Sequence, residues 1–263
     1  MIVATFNVNS IRSRLEILLE WLAALQPDVL GLQETKMPDD QFPETALRAA
    51  GYHVAYRGAS GGSGVALLAR HPPADVAFGL GDGASADADR LVYARIGTLH
   101  IVNTYVPQGR DIDHPMYRYK LAWFGRLRRF FERRFSPRMQ VVWLGDLNIA
   151  PEAIDIHNAE RQTRHVCYHE DARRAFAQTV AWGFVDVFRK HHPGEPQQYS
   201  FFDYRQKDAV SKRQGWRVDH ILATRPLAAR CRRAWIDLKP RLAPRPSDHT
   251  PVVAEFDLAP PRP

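Results

Sequence analysis

A set of short, nearly uninterrupted apolar runs limits how this chain can fold: VALLA at 65–69, LHIVNTYV at 99–106 and QVVWLG at 140–145. A strand with one wet face alternates apolar and polar residues, so an unbroken run implies a strand covered on both faces. Apolar stretches read as strands at 2–8, 28–33, 52–56, 64–69, 91–96, 99–106, 140–145, 216–223, 233–238 and 250–256. Helices are expected at 11–25, 42–50, 116–134 and 170–182. In the first, Leu15, Leu18, Leu22 and Leu25 recur at helical spacing and Pro27 closes the segment. In the third, Leu121, Phe124, Leu127 and Phe131 form the apolar stripe while the arginines face away. GASGGSG at 58–64, GLGDGASADADR at 79–90 and HHPGEP at 191–196 mark loops. Strands outnumber helices and run throughout, so the expected plan is two stacked sheets with helices outside, as one domain over 1–257. LAPPRP at 258–263 reads as a frayed tail.

The strands end in polar residues, repeatedly and with one kind of chemistry. Asp146 and Asn148 stand two apart in WLGDLNIAP, where an extended chain would put both on one face. Asn7 and Asn9 do the same after IVATF. Such pairs serve as turn devices or as reactive groups. Glu34 follows DVLGLQ and is the best candidate for a metal ligand, although a lone Glu after an apolar strand is more often a surface residue or helix cap. Tyr105 and Gln108 lie in NTYVPQG, Asp219 interrupts WRVDHILA, and Asp248 and His249 open the last strand in PSDHTPVVAEF. An ionised Asp219 within an apolar strand needs a partner. His249 is the available one, either as a structural pair or as a pair that keeps the imidazole cationic. Residues at strand ends can converge on one rim, where sites form on rigid scaffolds. Oxygen donors without cysteine favour magnesium or manganese over zinc.

Composition narrows the partners. The chain has 36 basic and 29 acidic residues, a net charge of +7 and a pI near 9.6. The excess is concentrated: residues 117–134 carry seven basic residues and one acid, and 205–217 carry five and one. Basic patches suit a polyanion such as nucleic acid, although basic helix faces are often plain solvated surface. No apolar run approaches the roughly 18 to 20 residues of a membrane span, so no membrane is expected. MIVATFNVNS has no basic stretch before its apolar residues, so no secretory signal is read there. Cys167 and Cys231, the two cysteines, lie far apart and suggest neither a disulfide framework nor a zinc site. A reducing cytoplasm is the expected setting.

FNVNSIR, LQETK, NTYVPQG, WLGDLNIAP, WRVDHIL and PSDHTPV, in this order, closely resemble the exonuclease III family of apurinic/apyrimidinic endonucleases. HNAERQTRHVCYHEDAR and YSFFDYR resemble its bacterial branch. The resemblance implies an α/β fold, a four-layered α/β sandwich of two packed mixed β-sheets flanked by helices. It implies Mg2+ (or Mn2+) held principally by Glu34 with Asn7 nearby, and Asp248 beside the metal; Asp146 and Asn148 are further candidates. Asp146, assisted by Asn148, would align or deprotonate the attacking water. His249, held by Asp219, would bond the scissile phosphate, and Tyr105 would position it. Phe201, Trp216 and Val218 fall where the family lines a pocket for a base-less sugar; without the resemblance they read as core residues. Arg12 and Lys36 would contact DNA phosphates, with Gln108 also on the DNA side. Arg205 stands where some relatives insert a bulky apolar side chain into DNA, and Asn9 where some have Asp.

The resulting expectation is a monomeric, metal-dependent DNA repair nuclease acting on double-stranded DNA with abasic sites or blocked 3′ ends. It would cut 5′ to abasic sites, with 3′→5′ exonuclease and 3′-phosphatase or phosphodiesterase activity. The alternatives are a specialised 3′→5′ exonuclease with little abasic cleavage, a phosphoesterase on lipid or small phosphoesters, and a nucleic-acid binder without catalysis.

Overall fold

The computed structural model describes residues 1–58, 62–83 and 87–259. Parts of the expected loops at 58–64 and 79–90, and most of the expected tail at 258–263, lie outside these residues. One six-stranded sheet contains β1 (Ile2–Asn7), β2 (Val29–Gln33), β3 (His53–Arg57), β4 (Val65–Ala69), β11 (Cys231–Ile236) and β12 (Val252–Phe256), in the order β11-β12-β1-β2-β4-β3. The other contains β5 (Ala74–Phe78), β6 (Leu91–Ile96), β7 (Leu99–Tyr105), β8 (Val141–Asp146), β9 (Phe184–Asp186) and β10 (Asp219–Thr224), in the order β5-β6-β7-β8-β10-β9. Each sheet is mixed: β1 and β2 run parallel, as do β7 and β8, and the remaining pairs are antiparallel.

The unbroken apolar runs now have their cause. On β4, Val65, Leu67 and Ala69 face the layer between the sheets, while Ala66 and Leu68 face the helix layer outside. On β8, Val142 and Leu144 point inward, while Val141 and Trp143 pack under helices on the other side. Helix α1 (Ile11–Leu25) covers the first sheet through Ile11, Leu18, Trp21 and Leu22. Helices α3 (Pro115–Arg134) and α4 (Glu170–Val180) cover the second through Trp123, Phe124, Leu127, Phe131 and Phe176. Three short helices complete the set: α2 (Glu44–Ala49), α5 (Val187–His191) and α6 (Arg225–Ala228). The layers are therefore helix, sheet, sheet, helix, the expected four-layered sandwich. Among the described residues, no helix is long and apolar enough to cross a membrane.

The sheets approach closely at Gly31. A Cβ there would come within 2.3 Å of Leu144 Cδ1 and 2.7 Å of Asn103 Cγ. Asn103 stitches the two sheets, donating from Nδ2 to the carbonyls of Leu32 and Ala66, while its Oδ1 accepts from Gln33 Nε2.

Several expectations need correction. β10 begins at Asp219 rather than at 216, and β12 at Val252 rather than 250. Asp219 thus starts its strand instead of interrupting it, and His249 precedes its strand. The basic stretches are not wholly surface: Lys120, Arg126 and Arg217 are buried. Arg126 pairs with Asp82 and Asp87, and Arg217 with Asp155 and Asp186.

Candidate active site

One rim of the sandwich gathers the polar strand ends. β1, β2, β7 and β8 finish there and β10 starts there. In the β-ladders Tyr105 aligns with Asp146 and Asp146 with Asp219. The same rim holds left-handed non-glycine backbone at Asn9 (φ 42°), Ser10 (85°), Glu34 (50°), Lys36 (49°) and Asn148 (49°). Such conformations cost energy and persist where the surrounding structure imposes them.

These dihedrals change the reason why Asp146 and Asn148 lie together. The chain is not extended through Asn148. Instead the Asn148 backbone N–H donates to Asp146 Oδ1 at 2.9 Å, and Asn148 Nδ2 lies 3.3 Å from Asp146 Oδ2. Asn9 N donates likewise to Asn7 Oδ1 at 2.9 Å. Both pairs are turns of the Asp/Asn type, and the turns bring these side chains to one rim.

Asn7 joins the two sheets. Its Nδ2 donates to Glu34 Oε1 and to Asp146 Oδ2, each at 2.9 Å. Its Oδ1 accepts from Asn9 N, so its N–H groups face the two carboxylates. Asn148 Nδ2 also donates to the Val106 carbonyl at 3.0 Å. Asp248 Oδ1 accepts from Asn9 Nδ2 at 2.9 Å. His249 Nδ1 donates to Asp219 Oδ2 at 2.8 Å, and its Nε2 lies 3.9 Å from Asp146 Oδ2.

Burial alone would favour neutral His249, but the Asp219 and Asp146 carboxylates outweigh it and hold the imidazole cationic well above its usual range. Burial raises the Asp146 pKa; the His249 cation opposes this, while Asp219 and Glu34 add to it. Burial, with Glu34 and Asp146 nearby, keeps the Tyr105 hydroxyl protonated.

Glu34, Asp146 and His249 could group around an ion, with one ligand atom from each within 4.8 Å of the others. A cationic His249 has no lone pair to give, so the donors that fit are the Glu34 and Asp146 carboxylates. Among the described residues, Asp219 Oδ1 is buried without a hydrogen-bond partner. Asp248 adds a further carboxylate at the cavity. Such a concentration of buried oxygen charge suits a hard divalent cation.

A cavity of about 340 Å3 opens beside these groups. Phe201, Trp216 and Val218 line it together with Glu34, Tyr105, Gln108, Asp146, Asn148, Asp248 and His249. The Phe201 ring lies 4.9 Å from the His249 ring. Arg205 stands at the cavity, 90% exposed and paired with Asp203 at 2.6 Å. Arg12 and Lys36 do not line it. Arg12 donates to Gln41 Oε1; Lys36 Nζ lies 2.6 Å from Glu34 Oε2 and donates to Asn9 Oδ1. Gln162, His165 and Cys167 also line the cavity and were not anticipated. His165 meets Trp216 edge-on, 4.1 Å between ring centres. No local spacing announces a pair so distant in sequence.

Residues 4–249 match the model of the Endonuclease/Exonuclease/phosphatase family. The chain belongs to that family. Exodeoxyribonuclease III of Haemophilus influenzae is 34% identical, over 96% of this chain and 98% of that protein. An AP endonuclease structure from Archaeoglobus fulgidus superposes with TM-score 0.96 at 50% identity, covering 98% of this chain and all of the other. The 3′ phosphatase NExo from Neisseria, bound to a product DNA hairpin, superposes with TM-score 0.92 at 35% identity and the same coverage. The chain is an enzyme, a nuclease-type hydrolase.

Proposed function

We propose that this enzyme is a magnesium-dependent DNA repair nuclease that hydrolyses the phosphodiester 5′ to abasic sites in duplex DNA. It also removes nucleotides and blocking phosphates from 3′ ends. The observation that carries this reading is the single cavity in which Asp146, the His249–Asp219 pair and Tyr105 face the apolar wall of Phe201, Trp216 and Val218. Phosphodiester hydrolysis needs an oriented water and compensation for charge developing on phosphate oxygens. Asp146 accepts the proton of the water, with its carboxylate fixed by Asn7 and Asn148. His249, held by Asp219, donates from Nε2 to a phosphate oxygen, and the neutral Tyr105 hydroxyl donates to another. Glu34 and Asp146 would hold a magnesium (or manganese) ion, which would supply positive charge to stabilise the charge developing in the reaction. The apolar wall admits an extruded sugar without its base, and an abasic nucleotide is the least costly to extrude. Gln108 and Arg205 at the cavity mouth, and Arg12 and Lys36 beyond it, contact the DNA backbone. All these side chains come from one chain, so a monomer suffices.

A labelled duplex with one tetrahydrofuran abasic analogue, which cannot be cut by β-elimination, tests the proposal. A nick on the 5′ side of the analogue that appears with magnesium and disappears with chelator is expected. Shortening from the 3′ end with no nick at the analogue would make the enzyme a specialised exonuclease.

A further inference from the structure

Helix α3 carries a lysine in its buried face. Lys120 is completely enclosed. Its Nζ donates to three backbone carbonyls: Gln108 at 3.2 Å, Asn148 at 2.6 Å and Val166 at 2.7 Å. An ammonium has three N–H bonds, and these contacts use all of them. Among the described residues, Lys120 forms no ion pair. A buried cation without an ion-pair partner is costly: burial pulls the Lys120 pKa down, with Cys167 and Asp146 opposing it, and an apolar side chain of similar volume often serves stability as well or better. Stability alone therefore gives little reason for a lysine here.

The acceptors give a better one. Gln108 follows the strand that ends in Tyr105, Asn148 follows the strand that ends in Asp146, and Val166 lies between the cavity residues His165 and Cys167. One ammonium thus ties three walls of the cavity to one helix. The first loop packs beside the lysine stem: Gly109 has φ 106°, and a Cβ there would lie 3.3 Å from Tyr117 Cδ2 and 3.4 Å from both Lys120 Cδ and Val166 Cβ. The charge also reaches the cavity. Burial, followed by the Lys120 cation, brings the His165 pKa down to about 4. Burial raises the Cys167 thiol while Lys120 opposes it.

We infer that Lys120 is a positioning residue for phosphodiester hydrolysis: its three N–H bonds pin the three cavity loops in one arrangement. The inference rests on the cavity being the DNA-cleaving site. Lys120 acts through backbone atoms and does not touch the substrate. An oxygen misplaced by an ångström is enough to slow such chemistry strongly.

The experiment compares Lys120→Met and Lys120→Gln with wild type in the full chain. It reads single-turnover cleavage of the tetrahydrofuran duplex, DNA affinity by anisotropy, and the His165 titration midpoint by NMR. Cleavage is expected to fall roughly 10²-fold in the Met variant and less in the Gln variant, which keeps N–H donors. DNA affinity stays within about threefold, and the His165 midpoint moves upward in both. Gly109→Ala, which strains the backbone next to the Gln108 carbonyl at φ 106°, is expected to slow cleavage in the same direction and serves if the lysine variants do not fold. A folded Lys120→Met with wild-type turnover would overturn the inference, as would cleavage and affinity falling in parallel with His165 unmoved. If the lysine variants do not fold, wild-type cleavage by Gly109→Ala overturns it. Absence of cleavage by wild type would remove the nuclease reading as well, which separates the two failures.

Discussion

Asp219 has two oxygens and uses them differently: Oδ2 binds the His249 imidazole, while Oδ1 is buried and has no hydrogen-bond partner among the described residues. An amide at this position would keep the shape but lose the charge that holds His249 cationic. Asp219→Asn is therefore expected to slow the chemical step by about 10²–10⁴-fold while leaving DNA affinity nearly unchanged; single-turnover kinetics and anisotropy check both. Glu34→Ala removes one of the two carboxylates that fit a cation. Magnesium affinity measured by calorimetry should fall on the order of tenfold or more, with DNA affinity in chelator little changed. Equal magnesium affinity in the two proteins would take Glu34 out of that role. At this scale the sequence was informative where a polar group closes or opens an apolar strand, as at Asn7, Asp146 and Asp219. It was silent on Gln162, His165 and Cys167, because only the fold brings the loop carrying them over Trp216. The equal spacing of Asp146 and Asn148 gave the right pair for the wrong geometric reason, since Asn148 is left-handed rather than extended.

The elements around the site are held by buried ion pairs. Arg217, between the cavity residues Trp216 and Val218, turns its side chain to Asp155 at 2.7 Å and Asp186 at 2.6 Å, and Arg189 joins Asp155. Burial would raise both carboxyls, but the Arg217 guanidinium beside them holds each below its usual value. Their stabilisation is complete above the ordinary Asp pKa of about 3.9 and is lost as pH falls below it. Asp186→Asn should therefore lower stability at pH 7, and the loss should shrink on going from pH 5 toward pH 2.5. Urea unfolding across that range checks this; a constant difference at every pH would contradict it. Strands covered on both faces, such as β4 and β8, were legible because a short unbroken apolar run between loop residues has to be dry on every side. β5 was not, because its residues are largely exposed at a sheet edge. β9 has three residues, too few to show any period. Arg217 falls in a stretch whose charge suggests basic surface, because a charge count cannot see its two aspartates.

Across the whole molecule, the site exists only because the sheets meet. One sheet supplies Asn7 and leads into Glu34; the other supplies Tyr105, Asp146 and Asp219. Asn7 spans the join through its two carboxylate contacts. The layer beneath is set by Gly31 and Asn103, which let the sheets approach and bond. The stacking of two sheets followed from strand number and apolar runs. Which ends would share a rim did not, because strand order depends on pairings remote in sequence, such as β1 with β12. If Asp146 handles the water at this join, single-turnover cleavage of the tetrahydrofuran duplex by Asp146→Asn, with DNA affinity measured alongside, tests that role most directly. The account predicts that cleavage is abolished while affinity stays within about threefold of wild type. A near-normal cleavage rate in the folded variant would contradict it.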